Sequence, residues 1–240
     1  MIRNIIVQII LLFCLCSSCK SQNNQDDELE RVNIKSDSSL VSIDSIYLGL
    51  AGRQVVSHHE VRGQFNYIES NSENGKYVAR FISNDALSVI YKSYPDSRKD
   101  TIVLGGKVYR LEKKFDPASI KIYHVLFNSK KYLAFIGKSQ SASGSGTQVT
   151  YFILAEINDA GSAGQFFEFE SRFGTINSIV DYNGDDELDY FKVVNADKMN
   201  EYRLTVKGIH DNSAIINNGY VLLKYETNDR FKIMGNLLKK

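Results

Sequence analysis

From Val41 onward the chain runs in short apolar or alternating stretches rich in Val, Ile, Tyr and Phe, punctuated by Gly, Asn, Asp and Ser. This pattern predicts strands near 41–49, 61–68, 77–83, 87–92, 101–104, 107–112, 119–127, 131–137, 148–157, 165–171, 175–181, 188–194, 201–208, 219–226 and 230–235. Period-two alternation is plainest in Gln165-Phe166-Phe167-Glu168-Phe169-Glu170 and in Tyr202-Arg203-Leu204-Thr205-Val206-Lys207. Side chains of a strand alternate between its two faces, so such runs bury one face and solvate the other. No window of about twelve residues or more carries a helical stripe. Many short strands with turn residues about every ten positions predict a mainly β fold of antiparallel sheets, built as propeller-like blades or as a β-sandwich.

Residues 119–171 and 175–235 read as two units of a weak repeat. Ile120 to Phe127, a turn, and Tyr132 to Ile136 form strand–turn–strand, and Ile176 to Asp181, a turn, and Leu188 to Val193 form it again. Each is followed by two more strands, and four strands per unit is a propeller-blade pattern. Two unrelated hairpins of a sandwich account for the same spacing.

The N-terminus follows different rules. Met1-Ile2-Arg3-Asn4 precedes an almost unbroken apolar run from Ile5 to Leu15. One cation followed by about ten apolar residues has the form of a signal peptide, and the run is short of the roughly 20 residues that span a bilayer. Leu15-Cys16-Ser17-Ser18-Cys19 follows. The stretch resembles the lipobox of bacterial lipoproteins, in which small residues precede an acylated cysteine. Ser17 and Ser18 fill the small positions, and Cys16 stands where that family usually has Leu. The resemblance implies a signal peptide over 1–18 and Cys19 as the lipidated first residue of the mature chain, anchored to a membrane through its acyl chains. Residues 19–40 then read as the lipidated Cys and a flexible polar tether, and 41–240 as the β-rich domain. Lys20 and the acidic cluster Asp26-Asp27-Glu28 are also similar to export signals of surface lipoproteins, so the implied place is the cell envelope, facing periplasm or cell surface.

Cysteine use agrees with that address. All three cysteines lie at or before residue 19. The domain therefore has no disulfide, and no thiol to bind zinc or attack a substrate. A net charge of +1 argues against a nucleic-acid partner, which calls for a large basic excess.

One loop carries chemistry: Asp181-Tyr182-Asn183-Gly184-Asp185-Asp186-Glu187-Leu188-Asp189. Oxygen donors at alternate positions suit a hard cation such as calcium. Asp181, Asn183 and Asp185 would supply side chains, Glu187 its carbonyl, and Asp189 would complete the shell directly or through water. From Ile179 to Val193 the stretch resembles the calcium loops of FG-GAP and VCBS repeat proteins. That resemblance implies a structural calcium ion. Position 6 of the loop, normally Gly, is Asp186 here, and Asp tolerates a left-handed backbone better than most residues. The turn 128–131 of the first unit has no carboxylate and is expected to bind nothing. A solvated acidic hairpin is the plain alternative for 181–189.

Other candidates are weaker. His58-His59-Glu60 offers two metal ligands, but adjacent strand residues face opposite ways. A partner ligand is needed, and sequence does not place His124 or His210 nearby. Ser141 to Thr147 lacks the Gly-x-Ser-x-Gly elbow and the Lys of a phosphate loop, and reads as a hairpin connection. Asp185, Asp186 and Glu187 could act as an acid/base pair on a glycoside, yet a cation explains an acidic loop better. Tyr182 and Tyr190 are expected to pack in the core or its rim. No catalytic residue is identified. The leading expectation is a membrane-anchored, non-enzymatic binding or scaffold module with an unknown protein or glycan partner. The alternative is an extracytoplasmic hydrolase acting on glycan or peptide, its site assembled from distant residues.

Overall fold

The computed structural model describes residues 40–51, 56–61, 68–70, 76–82, 88–94, 99–139, 149–158, 163–216, 218–236 and 238. The signal peptide, Cys19, nearly all of the tether, the Ser/Gly-rich stretch at 141–147 and most of the strand expected at 61–68 lie outside them.

Turn chemistry sets where the strands reverse. β6 (Thr101–Leu104) and β7 (Lys107–Arg110) are joined by Gly105 and Gly106, with φ of 55° and 77°. β8 (Lys121–Phe127) and β9 (Lys130–Lys138) are joined by Asn128 and Ser129, with φ of 47° and 64°. Two left-handed residues in a two-residue loop match the twist of the strands they connect. Around these hairpins run β2 (Ser57–Glu60), β3 (Ile68–Ser70), β4 (Lys76–Ile82), β5 (Ser88–Ser93), β10 (Val149–Ile157) and β11 (Ala163–Arg172). β12 (Ile179–Val180), β13 (Asp189–Asn195), β14 (Glu201–Gly208), β15 (Val221–Tyr225) and β16 (Arg230–Asn236) complete the series, and β1 (Val41–Ser42) precedes them all.

The strands form three antiparallel sheets. The first has the order β3-β4-β5-β6-β7, the middle one β11-β10-β9-β8-β2, and the third β1-β16-β15-β14-β13-β12. Each is a meander of consecutive strands, and β1 and β2 join sheets built from later sequence. Val41 pairs with Phe231, so the start of the domain is stitched to its last strand. The mainly β, antiparallel architecture is as expected. The two stretches read as repeat units, 119–171 and 175–235, fold into separate sheets.

Packing explains the apolar runs. Tyr151, Ile153 and Ala155 of β10, with Leu133 and Phe135 of β9, join a core shared with Tyr91, Ile102 and Leu104 of the first sheet. The residues between them, Phe152, Leu154, Tyr132, Ala134 and Ile136, join a second core with Ile179 and Tyr190 of the third sheet and Leu188 of the loop before β13. The middle sheet is therefore buried on both faces. Its central strands read as unbroken apolar runs, whereas half-exposed strands alternate.

The expectation of a strand over 41–49 is corrected. Only Val41–Ser42 is extended, and Ile43–Ala51 forms helix α1. Ile43, Ile46, Tyr47, Leu50 and Ala51 are buried, the spacing of one helical face. They pack on Phe191, Val193, Leu204 and Phe231 of the third sheet, with Tyr47 stacked on Phe191 at 5.4 Å. Ser42 caps the first turn, its Oγ accepting from Ser45 N–H at 3.2 Å. Asp44 accepts hydrogen bonds from Thr175 and Asn177. Two further expected strands begin late: single 3-10 turns, Pro117–Ser119 and Ile176–Ser178, occupy their first residues.

Gly137 of β9 lets the chain pass close to Phe115. A Cβ there would lie 2.7 Å from Phe115 Cδ1 and 3.1 Å from Ser119 Oγ, and Phe115 is fully buried. Overpacking of such a site costs about 1–3 kcal/mol. Gly137→Ala should lower the urea midpoint correspondingly, whereas Gly49→Ala, with open space at its Cβ, should hold or raise it.

Candidate functional site

The acidic loop connects β12 to β13. Ile179 pairs with Tyr190 and Val180 with Asp189, so the loop closes the end of a short ladder. Local hydrogen bonds wind it tightly. Asp181 Oδ1 accepts from Gly184 N–H at 2.8 Å, Asn183 Oδ1 from Asp185 N–H at 3.3 Å, and Asp185 Oδ1 from Glu187 N–H at 2.9 Å. Asn183 Nδ2 donates to Asp185 Oδ2 at 2.8 Å, and Tyr182 N–H donates to Asp189 Oδ2 at 3.0 Å. Gly184 (φ 76°) and Asp186 (φ 67°) both adopt the left-handed backbone. Asp186 thus takes the conformation for which Gly is usual at this position. Its carboxylate accepts from Asn128 Nδ2 at 3.0 Å, so the carboxylate-free turn of the β8–β9 hairpin braces the loop.

The five predicted donors separate into two levels. Asp181 and Asp189 are buried at the base, 3% and 1% exposed. Asn183, Asp185 and Glu187 stand exposed at the rim. Tyr182 and Tyr190 are core residues. Burial pushes the Asp181 carboxyl above its usual range, opposed by the Gly184 N–H and reinforced by Asp185. Burial likewise pushes Asp189 up to about 7, opposed by the Tyr182 N–H and reinforced by the charges of Asp185, Asp181 and Glu187.

In donor type the residues suit a hard cation, since they offer oxygen only and place two carboxylates in the interior. Among the described residues neither buried carboxylate has a Lys or Arg partner. The oxygens are directed onto N–H groups, and among the described residues no three His, Cys, Asp or Glu side chains gather about a common point.

Two groupings were not legible beforehand. His59 lies directly opposite His124 across the β2–β8 ladder. His58, facing the other way, donates from Nδ1 to Val56 O at 3.2 Å and sets its ring edge-on to Tyr123. His210 is elsewhere, packed on Phe167. The second grouping is a cleft of about 170 Å³ lined by Glu112, Lys113, Tyr151, Glu168, Glu170 and Lys192, among others. Tyr151 donates to Glu168, which also accepts from Glu112 N–H, and Lys113 pairs with Glu170. Its lining comes from five separate segments, so no local motif announces it.

An unfolded chain ionises Asp189 near the usual aspartate value of about 3.9. Because the folded value is raised to about 7, the unfolded state gives up this proton first. Stability therefore falls as pH rises from about 4 to 7, and is level in this group outside that window. In chelator, Asp189→Asn should flatten the decline of the urea midpoint across that range, because Asn keeps an acceptor for Tyr182 N–H and loses the charge. An unchanged slope would remove Asp189 as its source.

No protein-family model, curated protein sequence or solved structure matches the chain.

Proposed function

We propose that the protein is a membrane-anchored envelope lipoprotein whose β-rich domain is a non-enzymatic binding or scaffold module. The observation that carries this reading is the N-terminal sequence: Arg3, the apolar run Ile5 to Leu15, then Ser17-Ser18-Cys19, with no cysteine after it. Acylation of Cys19 would hold the chain to a bacterial membrane, facing periplasm or cell surface, where a protein or glycan is the partner class. Among the described residues no helix is long and apolar enough to cross a membrane. In the cleft, Glu168 and Glu170 are engaged by Tyr151 and Lys113, so the carboxylates act there as hydrogen-bond and ion-pair acceptors.

Calcium in loop 181–189 belongs to the same reading, as a structural clip between β12 and β13. Asp181, Asn183, Asp185, the Glu187 carbonyl and Asp189 would hold it. The ion would offset the burial of Asp181 and Asp189 and the mutual repulsion of the rim.

Lipidation is tested by metabolic labelling. Cys19→Ala should leave an unprocessed precursor that takes up no radiolabelled fatty acid, and normal labelling of the variant would overturn the anchor.

The calcium clip is tested by melting the protein in excess calcium and in chelator. Extracytoplasmic calcium sites bind at about 10⁻⁴–10⁻³ M, and free ion at about 100 times Kd adds about 2.7 kcal/mol. Tm should rise by several degrees in calcium and not in Asp185→Ala. Equal melting of the unmodified chain in both conditions, with no metal by mass spectrometry, would make the loop a solvated acidic turn.

A further inference from the structure

We propose that His59 and His124 form a two-imidazole site for a transition-metal dication, with Cu²⁺ the best fit, on the edge of the middle sheet. The two residues are direct partners in the β2–β8 ladder. The ladder is held beyond them by Val61 N–H donating to Ile122 O at 2.8 Å. Their rings lie 4.8 Å apart between centroids and only 21° from parallel, so the two imidazoles are in face-to-face contact.

Metal–imidazole bonds are about 2.0–2.1 Å long, which places two nitrogens on one ion roughly 3 Å apart. The ring torsion of His is broad and soft. A lone pair lies in its ring plane, so a shared ion requires one imidazole to swing out of the stack about this torsion, exchanging its present contacts for the metal, while the ladder holds the backbone in place. His59 is exposed and His124 half-buried, so an ion has access and water can fill the remaining positions.

The donor set selects the ion. Imidazole suits copper, zinc and nickel, and at a given nitrogen site affinity peaks at Cu²⁺. Glu60, the next residue, is paired with Tyr123 on the opposite face, so no carboxylate of this strand recruits a hard cation. His58 also belongs to the opposite face and serves as an internal control. A stacked pair that only fastens an edge strand has the same resting geometry, and metal binding separates the two roles.

The test is titration of the full chain in detergent with Cu²⁺, followed by calorimetry and electron paramagnetic resonance. One tightly bound ion with coupling to two imidazole nitrogens is expected. His59→Gln and His124→Gln, made separately, should each weaken that binding at least about tenfold, a loss of about 1.4 kcal/mol, and leave one coupled nitrogen. His58→Gln should bind as the unmodified chain does. Unchanged binding in either His59→Gln or His124→Gln, or an equal loss in His58→Gln, would overturn the site. A second measurement needs no variant. Saturating Cu²⁺ should protect His59 and His124, and not His210, from an imidazole-acylating reagent, read by peptide mass spectrometry. Equal modification of all three would overturn the proposal even if a variant failed to fold.

Discussion

Burial of the middle sheet on both faces is the constraint from which the rest of the architecture follows. Alternate residues of β9 and β10 enter two different cores, so these strands have no solvent face. A slip of one residue in register would exchange the two sets of side chains. Tyr151, Ile153 and Ala155 would then meet the surface shaped for Phe152 and Leu154. The first and third sheets are held by opposite sides of the same layer, and α1 closes the outer face of the third. Gly137 belongs to this constraint, since a Cβ there would collide with the buried Phe115 ring.

The acidic loop is a consequence of that stacking. Ile179, Leu188 and Tyr190 deliver the β12–β13 hairpin into the core against Phe152 and Phe169. Asp181 and Asp189 sit at the point where the hairpin leaves the core, and are carried into the interior with it. Burial of a carboxylate is unfavourable unless it is hydrogen-bonded or paired with positive charge. The loop answers with backbone N–H groups from Gly184 and Tyr182, which lessen but do not cancel the effect on proton affinity.

Strand content was legible because apolar runs and turn residues are local signals. β6 and β14 occupy the stretches expected of them, and the Gly-Gly turn carries its own geometry. The segment 43–51 is short and rich in Ile, Tyr and Leu, residue types that serve a strand as readily as a helix. Contact with the third sheet and the Ser42 cap decide between them, and only the cap is visible locally. The acidic loop was legible as a spacing of oxygen donors. The division into buried base and exposed rim was not, because it depends on how deeply the hairpin is inserted. The His59–His124 pair lay further from reach. It joins residues from opposite ends of a long separation, through a short strand, β2, that no run of apolar residues marks.

Both groupings that offer donors to a metal lie where the stacked sheets give way to solvent, and their chemistries differ for a structural reason. At the β12–β13 turn the backbone curls, so oxygen donors from consecutive residues crowd into one short loop. Such a turn supplies many oxygens and suits an ion of high coordination number. On β2 the backbone is extended and each residue turns away from the last, so a strand can offer one ligand per face over a short span. A second ligand must come from across the ladder, and two imidazoles with solvent around them suit an ion that binds nitrogen strongly at low coordination. Backbone geometry alone thus sorts the oxygen-rich loop from the nitrogen pair, and it does so with the sheet frame unchanged in either case.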